Sequence, residues 1–283
     1  MGSRTQRERA AHSNALEERA SVGRVLGAYG VGMSTLQRSA TGVVYGHVAA
    51  TRAVALWHAL RARFPDSGLW PVLRGNQASD DDPDARDSVD RLPVVHPGPA
   101  RKVLAPRFAR RRKQLEERHG VSLARTDSNA ALVEKVDGSA VYSLACKPVP
   151  ERPWPKRAPA AGMLSFYTTR DRAAVSFALV PLRHPYDAPV ELAFTGGEDC
   201  PGPYLISAVL ADWQKRYGAV PACITRSVIE CYVEHPPRNQ ASAIDLAVEH
   251  WLLCEDIVGQ GTRSLRNLAQ QLWRSHRWFF WWD

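Results

Sequence analysis

Apolar residues return at spacings of three and four from Val48 onward, and Ala50, Val54, Trp57, Leu60 and Phe64 fall on one side of a helix. Pro65 should end that helix, because proline lacks an amide and restricts the residue before it. Asp66-Ser67-Gly68 then reads as a turn, and Leu69-Trp70-Pro71-Val72-Leu73 as a short strand near a sheet edge, since Pro71 cannot donate a ladder hydrogen bond.

A second patterned region begins at Ala173. The run Ala173 to Leu182 suits a buried strand bent at Pro181, and Val190 to Phe194 a shorter one. Leu205, Ile206, Val209, Leu210, Trp213 and Tyr217 form a helical stripe that Gly218 stops. Val220 to Thr225 and Ser227 to Glu234 alternate as a tight hairpin. Ile244, Ala247, Val248, Trp251 and Leu252 predict a further helix, and Leu265, Leu268, Ala269, Leu272 and Trp273 another, with Thr262 placed as its N-cap. Trp278-Phe279-Phe280-Trp281-Trp282-Asp283 is too apolar to stand in water and predicts a final, central strand with Trp278, Phe280 and Trp282 on one side.

These elements define an α+β fold, a mixed or antiparallel sheet packed with amphipathic helices, with a polar insertion between the N- and C-terminal parts. The expected organisation is a flexible segment over 1–32, a helix-strand unit over 33–75 packing on the main domain, a polar and partly disordered insertion or linker over 76–161, and a main domain over 162–283. Within the insertion, Asn76 to Asp90 reads as a solvated acidic loop without the spacing of a calcium-binding loop, and Lys147 to Ala161, rich in proline, as a stiff linker.

Charge sharpens the division. Residues 1–161 hold 26 Lys/Arg against 16 Asp/Glu, whereas residues 162–283 hold 11 against 13. The densest basic run, Arg101 to Arg118, could hold phosphates, but it lacks interleaved aromatics or a reading helix, so a solvated face is preferred to nucleic acid. No apolar run spans a bilayer and the N-terminus lacks an apolar secretory stretch, which points to a cytoplasmic protein without a membrane partner. Five widely spaced cysteines without C-x-x-C pairs argue for reduced thiols and against a structural zinc site. The glycines at 27, 30 and 32 have the wrong order for a dinucleotide fingerprint, so neither cofactor nor metal is expected.

Candidate chemistry collects in few places. Glu198, Asp199 and Cys200 precede a helix whose free amides could favour a thiolate or an anion, with His184, His235 or His250 as conceivable bases. Asp256 sits in a second polar cluster with Cys254, Glu255 and Gln260, and Glu230 lies in the hairpin. Each has a structural alternative in capping, pairing or burial.

Leu179-Val180-Pro181, Glu198-Asp199-Cys200-Pro201, Trp213 with Arg216-Tyr217-Gly218-Ala219, Glu230, Pro236-Pro237, Cys254 to Gly261 and Trp278 to Asp283 together resemble a bacterial family, domain of unknown function 4253, common in actinobacteria. The resemblance covers about Ala173 to Asp283, and Leu56-Trp57 with Gly68 to Leu73 looks like the N-terminal part of longer members. Members commonly carry Asn before the Asp-Cys-Pro and Tyr two places before the later Cys, where this chain has Glu198 and Leu252. The resemblance implies a group and not a reaction. Two readings therefore stand: a macromolecule-binding or accessory, immunity-like factor whose partner is another protein, and a hydrolase or transferase using the Glu198, Asp199 and Cys200 loop.

Overall fold

The computed structural model describes residues 21–75, 95–124, 126–138, 154, 166, 169–170 and 172–283. The expectations for the first twenty residues, for Asn76 to Asp90 and for all of Lys147 to Ala161 but Trp154 lie outside these. One mixed sheet of seven strands organises the chain, in the order β1-β2-β4-β3-β5-β6-β7. The strands are β1 (Gln37–Arg38), β2 (Val44–Ala49), β3 (Leu69–Gly75), β4 (Ala174–Pro181), β5 (Val220–Ile224), β6 (Val228–Tyr232) and β7 (Arg277–Trp281). All described pairings are antiparallel except β3 with β5. The fold is α+β.

Helix α1 (Ala50–Arg61) follows β2 directly and buries Ala53, Leu56, Trp57 and Leu60, the stripe its spacing requires. It ends at Arg61, before Pro65, which instead occupies the first turn of a short helix, α2 (Phe64–Ser67), closed by left-handed Gly68. Strand β3 is central, not an edge. Its pairing with β5 is registered at Leu73 opposite Cys223, past Pro71. Two indoles take the carbonyls at the neighbouring prolines: Trp57 Nε1 donates to Pro71 O and Trp70 Nε1 to Pro221 O, each at 2.9 Å. Side chains thus supply hydrogen bonds near residues that cannot donate, and the proline is accommodated inside the sheet.

Residues 100–137, within the span read as a polar insertion, contain three helices. Helices α3 (Ala100–Val103), α4 (Ala105–His119) and α5 (Asn129–Asp137) send Leu104, Leu115, Leu132, Val133 and Val136 into the common core. Few apolar residues among many charges are enough when they share one helix face. Residues 21–28, within the segment expected to be flexible, are helical and bury Val22 and Leu26.

Beyond β4, residues Ala188–Glu191 form α6, where a strand was expected. Short apolar runs do not separate helix from strand by periodicity. Then come α7 (Pro203–Tyr217), the β5–β6 hairpin, α8 (Gln240–Leu253) and α9 (Leu265–Leu272). Residues Ile257–Thr262 form a π-helical turn between α8 and α9. Ser264, not Thr262, caps α9, its hydroxyl accepting from Asn267 N at 3.0 Å. Asp137 of α5 adds a second cap, accepting from Leu265 N at 2.7 Å and Arg266 N at 3.0 Å.

Strand β7 closes the sheet as an edge strand. Trp278, Phe280 and Trp282 alternate into the core, whereas Phe279 and Trp281 are half-buried. Trp278 and Phe280 pack on Trp213 of α7, with ring centroids 5.5 and 5.6 Å away. On the opposite face Tyr232 packs on Trp57 of α1 at 5.6 Å. Helices therefore cover both faces, as a sheet apolar on both sides requires.

Candidate functional site

The loop from Thr195 to Gly202 lies across the end of β7, and glycine makes this possible. A side chain at Gly197 would collide with the main chain of Asp283. In its absence Glu198 N donates to Asp283 O at 2.5 Å. Gly202, at φ +82° and ψ 159°, turns the chain through a region close to glycine-only and hands it to Pro203 at the start of α7. Asp199 holds a left-handed conformation at φ +62°, which aspartate tolerates better than most residues.

From the other side the π-turn delivers Asp256. Its carboxylate accepts from Asp283 N at 3.3 Å and from Gln260 Nε2 at 3.4 Å. Burial, followed by the charges of Asp283 and Asp199, raises its pKa against the lowering effect of those hydrogen bonds. Cys254, at the end of α8, donates from Sγ to Trp281 O at 3.0 Å, and burial pushes its thiol up to about 12.

Helix α4 completes the site. Arg107, Arg110, Arg111 and Gln114 stand at i, i+3, i+4 and i+7, hence on one face. With Asp199 and Leu252 they line a shallow, open recess. Arg107 Nε donates to Leu252 O at 2.6 Å and its Nη2 to Asp199 O at 3.2 Å. Arg110 Nη2 lies 3.3 Å from Asp199 Oδ1. Arg111 pairs with Glu255 and donates to Gln114 Oε1 at 3.0 Å, its guanidinium 5.8 Å from the centre of the Trp251 ring. Burial, then the neighbouring Arg111, lowers the pKa of Arg107.

Glu198, Asp199, Cys200 and Asp256 are thus gathered around one chain end. Glu230 is elsewhere: it is fully buried in β6, with Arg277 Nη1 3.8 Å from its carboxylate. The thiolate expected of Cys200 is opposed by its surroundings. Burial pushes the thiol up to about 11, outweighing the hydrogen bond from Gly202 and the charge of Arg107. Among the described residues no histidine is hydrogen-bonded to it. His184 stacks on Tyr186, and His250 lies between α7 and β7. Among the described residues no group of three or more His, Cys, Asp or Glu could hold a metal ion, and no helix is long and apolar enough to cross a membrane.

Two features were not anticipated from sequence. The first is the arginine face of α4, readable in the 107, 110, 111, 114 spacing but submerged in a run of like charge. The second is a buried polar centre on α7 and α8. Glu249 accepts from Trp213 Nε1 at 2.8 Å and pairs with Arg216, whose Nε also donates to Asp212 Oδ2 at 2.7 Å. Burial opposes the charge on Arg216, but Glu249 outweighs it and raises the pKa. The signal was the spacing of Asp212 and Arg216, four apart on a helix face, with Glu249 supplied by tertiary packing.

No curated protein and no solved structure matches the chain. Residues 176–283 match a family described as Domain of unknown function (DUF4253), so the segment that builds every wall of this site except α4 belongs to that family.

Proposed function

We propose that the protein acts by binding another protein, as an accessory or immunity-like factor in the cytoplasm of an actinobacterial type of cell, and not by turnover. The observation that carries this reading is the condition of the loop most suited to catalysis. Cys200 has its thiol pushed up to about 11, and the carboxylate of Asp199 is engaged by Arg110. A nucleophile needs a lowered pKa or an adjacent base, and this loop offers neither. Beside it α4 presents cations to solvent, with the side chain of Arg110 65% exposed and that of Lys113 75% exposed. Exposed charge beside a loop held by main-chain hydrogen bonds suits recognition.

The competing reading is a hydrolase or transferase working through Glu198, Asp199 or Cys200. Two measurements on the full chain separate them. Affinity capture from the native cell, followed by size-exclusion chromatography of the purified components, is expected to give a stoichiometric complex. Thiol profiling with iodoacetamide is expected to leave Cys200 slow. A hyper-reactive Cys200 with no reconstituted complex would transfer the assignment to the enzyme.

A further inference from the structure

We infer that the recess between α4 and the Asp199 loop receives an acidic side chain from the protein partner, which takes the place of the Asp199 carboxylate on Arg110 and also engages Arg107. This rests on the protein-binding reading above and names the chemistry of the partner.

Three guanidinium groups converge on the recess and are unequally neutralised. Arg111 is paired with Glu255. Among the described residues Arg107 has the main-chain carbonyls of Leu252 and Asp199 as its hydrogen-bond acceptors, in a setting where burial already disfavours its charge. Arg110, among the described residues, pairs with Asp199, and that pair is open to water, its side chains 65% and 57% exposed. Exposed pairs of this kind contribute little net stability, so an incoming carboxylate meets a weak competitor. A second carboxylate at the recess would engage Arg107 and Arg110 together, and arginine's planar fork suits a carboxylate.

The lining also favours an acidic peptide over a nucleic acid backbone. Leu252 supplies an apolar wall and Gln114 an amide, which suit a peptide bearing apolar and acidic residues side by side. Among the described residues no aromatic ring lines the recess for base stacking.

The test uses the full-length protein, a fluorescein-labelled peptide Gly-Glu-Glu-Leu-Glu-Glu-Gly, its glutamine counterpart and a labelled twelve-nucleotide oligothymidine, read by fluorescence anisotropy. The acidic peptide should bind and the glutamine peptide at least tenfold more weakly. Arg110→Ala should weaken acidic-peptide binding at least fivefold without moving the melting temperature. Asp199→Asn, which keeps a residue tolerant of left-handed backbone, should tighten it at least threefold by removing the internal competitor. Arg38→Ala, an exposed arginine on β1, should change nothing. Equal binding by Arg110→Ala and wild type, or weaker binding by Asp199→Asn, overturns the inference. So does tighter, Arg110-dependent binding of the oligonucleotide, which would assign the recess to nucleic acid. If the reconstituted partner is retained while both recess variants are silent, this inference falls and the protein-binding reading stands. If neither partner nor peptide binds, both fall.

Discussion

At His250 the two ring nitrogens have no hydrogen-bond partner among the described residues, and the imidazole lies among Trp213, Trp278 and Phe280 with centroids 4.6 to 4.8 Å away. The residue is 1% exposed, and burial, reinforced by Arg216, holds its pKa well below the usual value of 6.5. The unfolded chain therefore binds a proton that the folded one refuses. Stability is complete above about pH 6.5 and falls as pH drops through and below that value, approaching about 1.4 kcal/mol per pH unit for one proton. His250→Phe keeps a ring among the aromatics and should flatten that slope between pH 6 and 4.5 in urea titrations. An unchanged slope would assign the acid sensitivity to other groups. A steric prediction applies at Gly197, where an added methyl meets the Asp283 main chain. Gly197→Ala should cost about 1–3 kcal/mol, the usual range for overpacking, and lower the melting temperature several degrees. A melting temperature equal to wild type would show that the chain end yields. Neither setting was readable beforehand. His250 was read as a conceivable base for Cys200 and Gly197 was given no role, because the surroundings of both derive from β7 and the residues after it, distant in sequence.

Among the elements, α9 has its first turn fastened from outside by Asp137, which accepts from two of its free amides. Asp137→Ala should cost about 1 kcal/mol, as loss of an N-cap does, and raise amide hydrogen exchange at Leu265 and Arg266 while leaving α7 protected. Uniform exchange across all helices would mean that the cap acts on global stability alone. Helix interiors were legible because α1, α7, α8 and α9 carry apolar stripes of the right period. Their ends were not. Thr262 and Ser264 are equally good caps by composition, and the π-turn between them decides for Ser264. Strand positions were mostly legible too, but sheet order was not: Pro71 argued for an edge and the unbroken aromatic run 278–282 for a centre, and both arguments inverted. Two indole hydrogen bonds rescue the first. In the second, Phe279 and Trp281 remain half-buried on the far side of an edge strand.

For the molecule as a whole, β3 stands between β4 and β5, so the family segment does not contain a continuous sheet. A fragment comprising residues 173–283 should lack cooperative thermal unfolding and near-ultraviolet circular dichroism, because removing β3 uncovers the inner edges of both neighbours and the apolar bodies of Val72 and Leu73. A sharp melting transition in that fragment would show that β4 and β5 re-pair directly. The uneven charge of the sequence also acquires a meaning at this scale. Cations of the basic run pair with carboxylates of the C-terminal part, Arg101 with Asp245, Arg110 with Asp199 and Arg111 with Glu255, so part of the imbalance is answered internally.

The place of β3 also sets a timetable for synthesis. On the ribosome Trp70 and Leu73 emerge early, yet the strands that flank them come much later, β4 from Ala174 and β5 from Val220. Until then β3 waits with both long edges open, the condition in which strands pair with the wrong chain. Loop-closure entropy rises only slowly with length, so the delay is governed by the order of translation and not by the size of the intervening stretch. The centre of this sheet can be completed only after most of the polypeptide has been made.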